Sequence, residues 1–316
     1  MVGIVIVLIS AAFFAAQNVI VRVLFQESLI LGTFSLGGFI NPDINNSLLL
    51  LGMRTLLMVG LMAISFPSVY QPIWSDIRQL GNNFALSLRI LGSGACFFFT
   101  LMLVYVAIGN IPTGIAIALF FIYPAITVFL AWGILGDRPT ALRLIVMLVI
   151  LIGVFLVNPI SDFQLPTNLL LGVIASLTGG ISYAIYSILA QRCLTEIHPI
   201  PYSFMVFWVI LLLTGISLLW LSPHVRSESW VFLWMGSLIS AVITLVGHVL
   251  NNVGIRFVGA VTSSLASGMA PVFTTLLAWL MLEETLQSQQ AIGIGLVSLG
   301  VAALGLARTQ KQPTSN

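Results

Sequence analysis

Charge is what this sequence has least of. Only 6% of its 316 residues are Asp, Glu, Lys or Arg, against roughly 25% in soluble globular domains. Eleven basic and nine acidic side chains cannot coat a 34 kDa particle in water, which excludes a soluble fold. Lysine is nearly absent, with Lys311 the single example, and the net charge of +2 has no basic cluster behind it. That excludes a nucleic-acid partner. The two cysteines, Cys96 and Cys193, lie within or at the end of apolar runs and offer neither a disulfide framework nor a CxxC metal site. The three histidines have no liganding neighbours at metal spacing, so neither metal nor cofactor is expected.

Apolar residues fill the space that charge leaves, at 59% of the chain with a mean hydropathy of +1.13. A helix crossing the hydrocarbon core needs about 20 such residues. With charges as a ruler the chain divides into ten spans, at about 3–24, 47–66, 87–108, 113–135, 141–158, 169–190, 201–221, 230–252, 258–282 and 290–307. The long uncharged stretch from Ile90 to Gly136 is split by Gly109, Asn110, Ile111 and Pro112. Ser10, Ala11 and Ala12 suit a signal peptidase, yet no basic residue precedes the first run, which is expected to stay as a helix. Basic residues set the orientation. A cytoplasmic N-terminus places Arg78, Arg89, Arg138, Arg143, Arg192, Arg256, Arg308 and Lys311 inside and leaves Arg226 alone in an external loop, so both termini are expected in the cytoplasm.

The chain repeats itself at a displacement of 147 residues: Pro124, Thr127, Leu130, Ala131, Trp132, Leu135 and Asp137 correspond to Pro271, Thr274, Leu277, Ala278, Trp279, Leu282 and Glu284. Spans four and five thus recur as nine and ten. The expected fold is an all-α membrane protein of ten helices in two five-span repeats, 1–160 and 161–310, followed by a short tail at 311–316. Five is odd, so the second copy enters the membrane inverted, an arrangement in which the two copies can exchange conformations around a site near the midplane. Pro124 and Pro271 lie inside their helices, remove a backbone donor at matching depths and are expected to act as hinges.

The pattern Pro-x-x-Thr-x-x-Leu-Ala-Trp-x-x-Leu-x-acidic, present twice and followed by a glycine-rich span, resembles the EamA unit of the drug/metabolite transporter superfamily. The resemblance covers practically the whole chain and specifies the family, not the substrate. It implies a multi-pass bacterial inner-membrane carrier, with a cavity between the halves, that exports amino acids or other small metabolites.

Large polar side chains inside lipid need partners, so they mark candidate positions along a substrate path. The candidates are Gln17 and Asn18 in span one, Arg54 in span two, Tyr123 in span four, Tyr183 and Tyr186 in span six, His248 and Asn252 in span eight, and Ser267 in span nine. Arg54 is the candidate for an anionic group, because a guanidinium can bond a carboxylate twice. Most Ser and Thr positions, and Gly295, Gly300 and Gly305, read as helix packing. The expected function is secondary transport of a small organic solute by alternating access, in contact with lipid and as a monomer or homodimer. A membrane enzyme or channel-like scaffold is the alternative, but all nine carboxylates lie in loops or at helix ends.

Overall fold

A computed structural model describes residues 2–41, 43–111, 113–157, 169–221, 223, 225, 227–282 and 286–309. Expectations for Pro112, Asp162, His224, Arg226, Glu283, Glu284 and the 311–316 tail fall outside those residues. The helices are α1 (Val2–Phe25), α2 (Ile44–Val69), α3 (Ile73–Leu80), α4 (Phe84–Asn110), α5 (Thr113–Phe120), α6 (Tyr123–Leu130), α7 (Ala141–Val157), α8 (Leu169–Leu194), α9 (Pro199–Leu218), α10 (Trp230–Ala266), α11 (Met269–Met281) and α12 (Ser288–Thr309). Seven helical stretches among the described residues are long and apolar enough to cross a membrane, and three shorter apolar helices accompany them. The protein is a helical membrane protein.

Spans four and nine differ from the continuous helices that the sequence suggests. The first is interrupted at Phe121-Ile122 and the second at Ser267-Gly268. The cause is the same in both: Pro124 has no N–H for the carbonyl of Phe120, and Pro271 none for that of Ser267. The displacement of 147 lays the second break within one residue of the first. Spans eight and nine are joined by a single sharp turn at Gly259 (φ 79°, ψ 163°), where the Gln191 side chain of α8 accepts the Ala260 N–H at 2.6 Å and caps the restarted helix.

The most extensive packing joins α4 to α8, α1 to α10 and α7 to α12, with α1 also on α11, α5 and α6 on α8, and α2 on α9. Small residues permit these approaches. At Gly153 of α7 an added Cβ would lie 2.7 Å from Val297 Cγ2 and 3.0 Å from the Gly293 carbonyl, and at Gly293 of α12 it would lie 2.6 Å from the Gly153 carbonyl. Gly295, expected to pack, has nothing within 4 Å of that position, whereas at Gly300, also expected to pack, a Cβ would lie 2.8 Å from Ile150 Cγ1, so Gly293 and Gly300 are the tight glycines of this helix.

The connection between α1 and α2 folds into an antiparallel hairpin, β1 (Ser28–Ile30) and β2 (Phe34–Leu36). Leu31 N–H donates to the Met281 carbonyl at 2.9 Å, Phe39 N–H to the Leu24 carbonyl at 3.0 Å, and the Phe39 ring stacks on Phe232 at 4.6 Å. Gly37 (φ 125°) makes this possible, since a Cβ there would strike the carbonyls of Val23 and Gln26. The hairpin straps together the ends of α1, α10 and α11.

Candidate functional site

His248 of α10 sits among three phenyl rings from three other helices: Phe14 of α1 at 4.6 Å between centroids, Phe97 of α4 at 4.9 Å and Phe207 of α9 at 5.1 Å. Phe97 stacks on Tyr186 of α8 at 4.6 Å and meets Tyr183 edge-on, and Tyr183 meets Tyr123 of α6 at 4.6 Å. An aromatic chain therefore crosses the molecule from α6 to α10. The Tyr186 hydroxyl donates to Asn252 Oδ1 at 3.2 Å, and Asn252 Nδ2 donates to Ser203 Oγ at 2.8 Å, which ties α8, α10 and α9. Tyr123 donates to the Ser264 carbonyl at 3.4 Å, three residues before the buried Ser267.

Arg54 is 8% exposed and lies close enough to His248 for the two groups to interact electrostatically. Because α2 begins at Ile44, three residues before the start near residue 47 that the sequence suggests, Arg54 stands about 15 Å into the helix at 1.5 Å per residue. Its Nε is buried without a hydrogen-bond partner, as is His248 Nδ1.

Seven of the nine residues picked out from sequence thus gather in the interior: Arg54, Tyr123, Tyr183, Tyr186, His248, Asn252 and Ser267. The other two stay apart. Asn18 is exposed and donates to Thr274 Oγ1 of α11 at 3.3 Å, and Gln17 beside it is half-buried on α1. Sequence reasoning missed Phe14, Phe97 and Phe207, whose residue type gives no sign that they face inward rather than to lipid. It also missed Thr214, Ser237 and Ser240, whose hydroxyls are buried and unpartnered. For the serines a signal existed, since Ser237, Ser240, Thr244 and His248 recur at steps of three and four on one helical face.

At the end of the bundle that carries Arg78, Arg89, Arg192 and Arg256, a cavity of about 560 Å³ opens between α3, the start of α4 and the α8–α9 turn. Tyr70 and His198 stack in its wall at 4.1 Å and 4° between ring planes, and Tyr70 donates to Asp76 Oδ2 at 2.8 Å. His198 caps α9 by accepting the Ile200 N–H on Nδ1 at 3.3 Å, which requires that nitrogen to be unprotonated. Partial burial first, then the nearby Arg256, hold its pKa below the usual histidine value, with Asp76 opposing. A lowered folded-state pKa stabilises the fold above the unfolded value of about 6.5 and loses that contribution as pH falls. The difference in melting temperature between the parent and His198→Asn, which keeps a capping oxygen but does not titrate, is therefore expected to move against the parent from pH 7.5 to 5.5. Parallel melting curves across that range would remove His198 as the cause.

The sequence pattern of the EamA-like transporter family matches residues 170–306. A Synechocystis protein named as an uncharacterized transporter is 39% identical and aligns with 100% of this chain and 97% of its own length. The chain belongs to the EamA-like transporter family. A Bacillus subtilis protein, also named as an uncharacterized transporter, is 29% identical over 198 residues, 60% of this chain and 64% of that one. A solved crystal structure shares the fold at a TM-score of 0.70 and 15% identity, covering 98% of this chain and 99% of its own. This EamA-like chain is a multi-pass membrane transporter, and its lipid environment and small-molecule substrate follow from that membership. Among its described residues no three His, Cys, Asp or Glu side chains group to hold a metal ion.

Proposed function

We propose that this protein exports a small, amino-acid-like organic metabolite across the bacterial inner membrane by alternating access, with both termini cytoplasmic. Residues 1–160 and 161–310 are its two inverted repeats of five spans, and the solute passes between them at the Arg54–His248 aromatic interior. The packing list carries this reading. Exchanging spans one to five with six to ten turns the α1–α10 contact into α8–α4, and α1–α11 into α8 with α5 and α6, while α2–α9 and α7–α12 map onto themselves. That is the symmetry expected if the halves swap conformations. Matching breaks above Pro124 and Pro271 support hinges at these prolines. The hairpin strap over one end and the cavity at the basic end favour loading from the cytoplasm.

Proton-driven carriers commonly titrate a carboxylate at mid-depth. The described carboxylates stand in connections or at helix ends, which favours a facilitator or exchanger. Counterflow of a labelled small organic carboxylate in proteoliposomes is expected, unaltered by a pH gradient. Reporter fusions at Asn45 and after Asn316 are expected outside and inside respectively. No flux of any small solute, with turnover of lipid or peptide instead, would favour the enzyme alternative, and a periplasmic C-terminus would overturn the orientation.

A further inference from the structure

Six buried polar atoms on three facing helices have no hydrogen-bond partner: Arg54 Nε on α2, Thr214 Oγ1 on α9, and Ser237 Oγ, Ser240 Oγ, Thr244 Oγ1 and His248 Nδ1 on α10. They line the packing of α2, α9 and α10, spread along about 16 Å of α10 from Ser237 to His248 at 1.5 Å per residue. Leu233, a turn before Ser237 on the same face of α10, clusters with Leu50 and Met53 of α2, and Arg54 is the next residue. A Cβ added at Gly52 of α2 would lie 3.3 Å from Thr214 Cγ2, so Thr214 stands beside α2 at the level of Arg54, with its methyl toward that helix. Buried polar groups are nearly always paired, and one left without a partner keeps the cost of its lost hydration. Six together mark a site shaped for a polar occupant.

The chemistry of the cluster indicates the occupant's charge. Its four hydroxyls can donate, its guanidinium can only donate, and among the described residues no carboxylate forms an ion pair with Arg54. A buried charge is tolerated when something of opposite sign meets it. An anion neutralises the site, whereas a zwitterion brings an ammonium into a region whose one formal charge is positive. Beyond the hydroxyls, the rings of Phe14, Phe97 and Phe207 around His248 offer an apolar wall for the rest of the molecule.

We propose that this cluster is an oxyanion site, and that the solute is a net monoanion, a carboxylate with a planar or apolar body and no charged amino group. The proposal rests on the reading that Arg54 faces the substrate path, and it narrows the amino-acid-like solute to an uncharged-nitrogen or oxo-acid form. Arg54 and the hydroxyls of Ser240 and Thr244 take the head group, and the phenyl wall takes the body.

The test uses the purified full-length protein in detergent, with melting temperature followed against phenylpyruvate, N-acetylphenylalanine, phenylalanine and phenylalanine amide, since a ligand that binds only the folded state raises it. The two monoanions are expected to stabilise the parent, and the zwitterion and the cation are not. In Ser240→Ala/Thr244→Val the apparent affinity for the monoanions is expected to fall by roughly 10-fold or more, from two lost hydrogen bonds to a charged group. In proteoliposomes an inside-positive potential is expected to accelerate phenylpyruvate entry. Equal stabilisation by phenylalanine and phenylpyruvate, both lost in Arg54→Gln, would overturn the monoanion assignment and leave Arg54 on the path. Unchanged monoanion affinity in the double variant would overturn the oxyanion site. Failure of every carboxylate to stabilise the parent would fall on the underlying reading of Arg54 and take this proposal with it.

Discussion

Gly293→Leu is expected to abolish recovery of folded protein, while Gly295→Leu, two residues along the same helix, leaves it unchanged. The reason is backbone proximity between α7 and α12. A Cβ at position 293 would stand 2.6 Å from the Gly153 carbonyl and 2.7 Å from the Val157 nitrogen, atoms that cannot move without displacing the whole of α7. Gly295 has open space at the corresponding point. Overpacking against side chains costs typically about 1–3 kcal/mol, and against main chain more, enough to consume a large part of a marginal stability. Helices in lipid are held together by such close packing, so no alternative contact compensates. Monodisperse protein by fluorescence-detected size exclusion is the measurement. Equal yields from the two variants would show that the α7–α12 seam is not required for assembly.

Arg54→Gln is expected to raise the half-saturating substrate concentration by roughly 10- to 150-fold, from loss of charge-assisted hydrogen bonds of about 1.5–3 kcal/mol, at unaltered membrane level. Arg54→Lys should fall between, because an ammonium is a point charge that cannot reproduce a bidentate fork. Stability should move the other way. The Nε of this buried guanidinium has no hydrogen-bond partner in the fold. The Gln variant is therefore expected to melt no lower than the parent. A structural arginine predicts the reverse, with lower melting and transport losses that track the amount of protein. Normal transport kinetics in Arg54→Gln would sink the cavity assignment.

Legibility from sequence followed what lipid demands. The apolar runs were readable because the hydrocarbon core tolerates few charges, and the weak points at Pro124 and Pro271 because proline deletes a donor whatever surrounds it, although the sequence suggested continuous helices there. Tyr183, Tyr186, His248 and Asn252 were readable as polar groups that need partners. Asn18 is exposed and meets its partner Thr274 across the seam between α1 and α11. The same logic could not find Phe14, Phe97 or Phe207, since a phenylalanine suits lipid and a binding wall equally. The hairpin was hidden for another reason. Its two strands are three residues each, and the features that fix it are long-range: a hydrogen bond to Met281, a stack on Phe232 and the positive φ of Gly37. Ser237 and Ser240 could be placed on one face but not distinguished from packing serines until their lack of partners was visible.

The two interrupted helices also bear on the speed of the cycle. Bending an intact helix at mid-depth sacrifices backbone hydrogen bonds in a medium that offers no water to replace them, each worth several kcal/mol there. At Phe121-Ile122 and Ser267-Gly268 the helices are already interrupted, so under the proposed alternating access these points would serve as compliant joints. On that reading the barrier between the two faces falls on sliding side chains, chiefly the aromatic contact of Tyr123 with Tyr183 beside the break above α6. Flexure would be set by ring packing, and the rate of exchange becomes a property that single aromatic substitutions can tune without touching the lipid-facing surface.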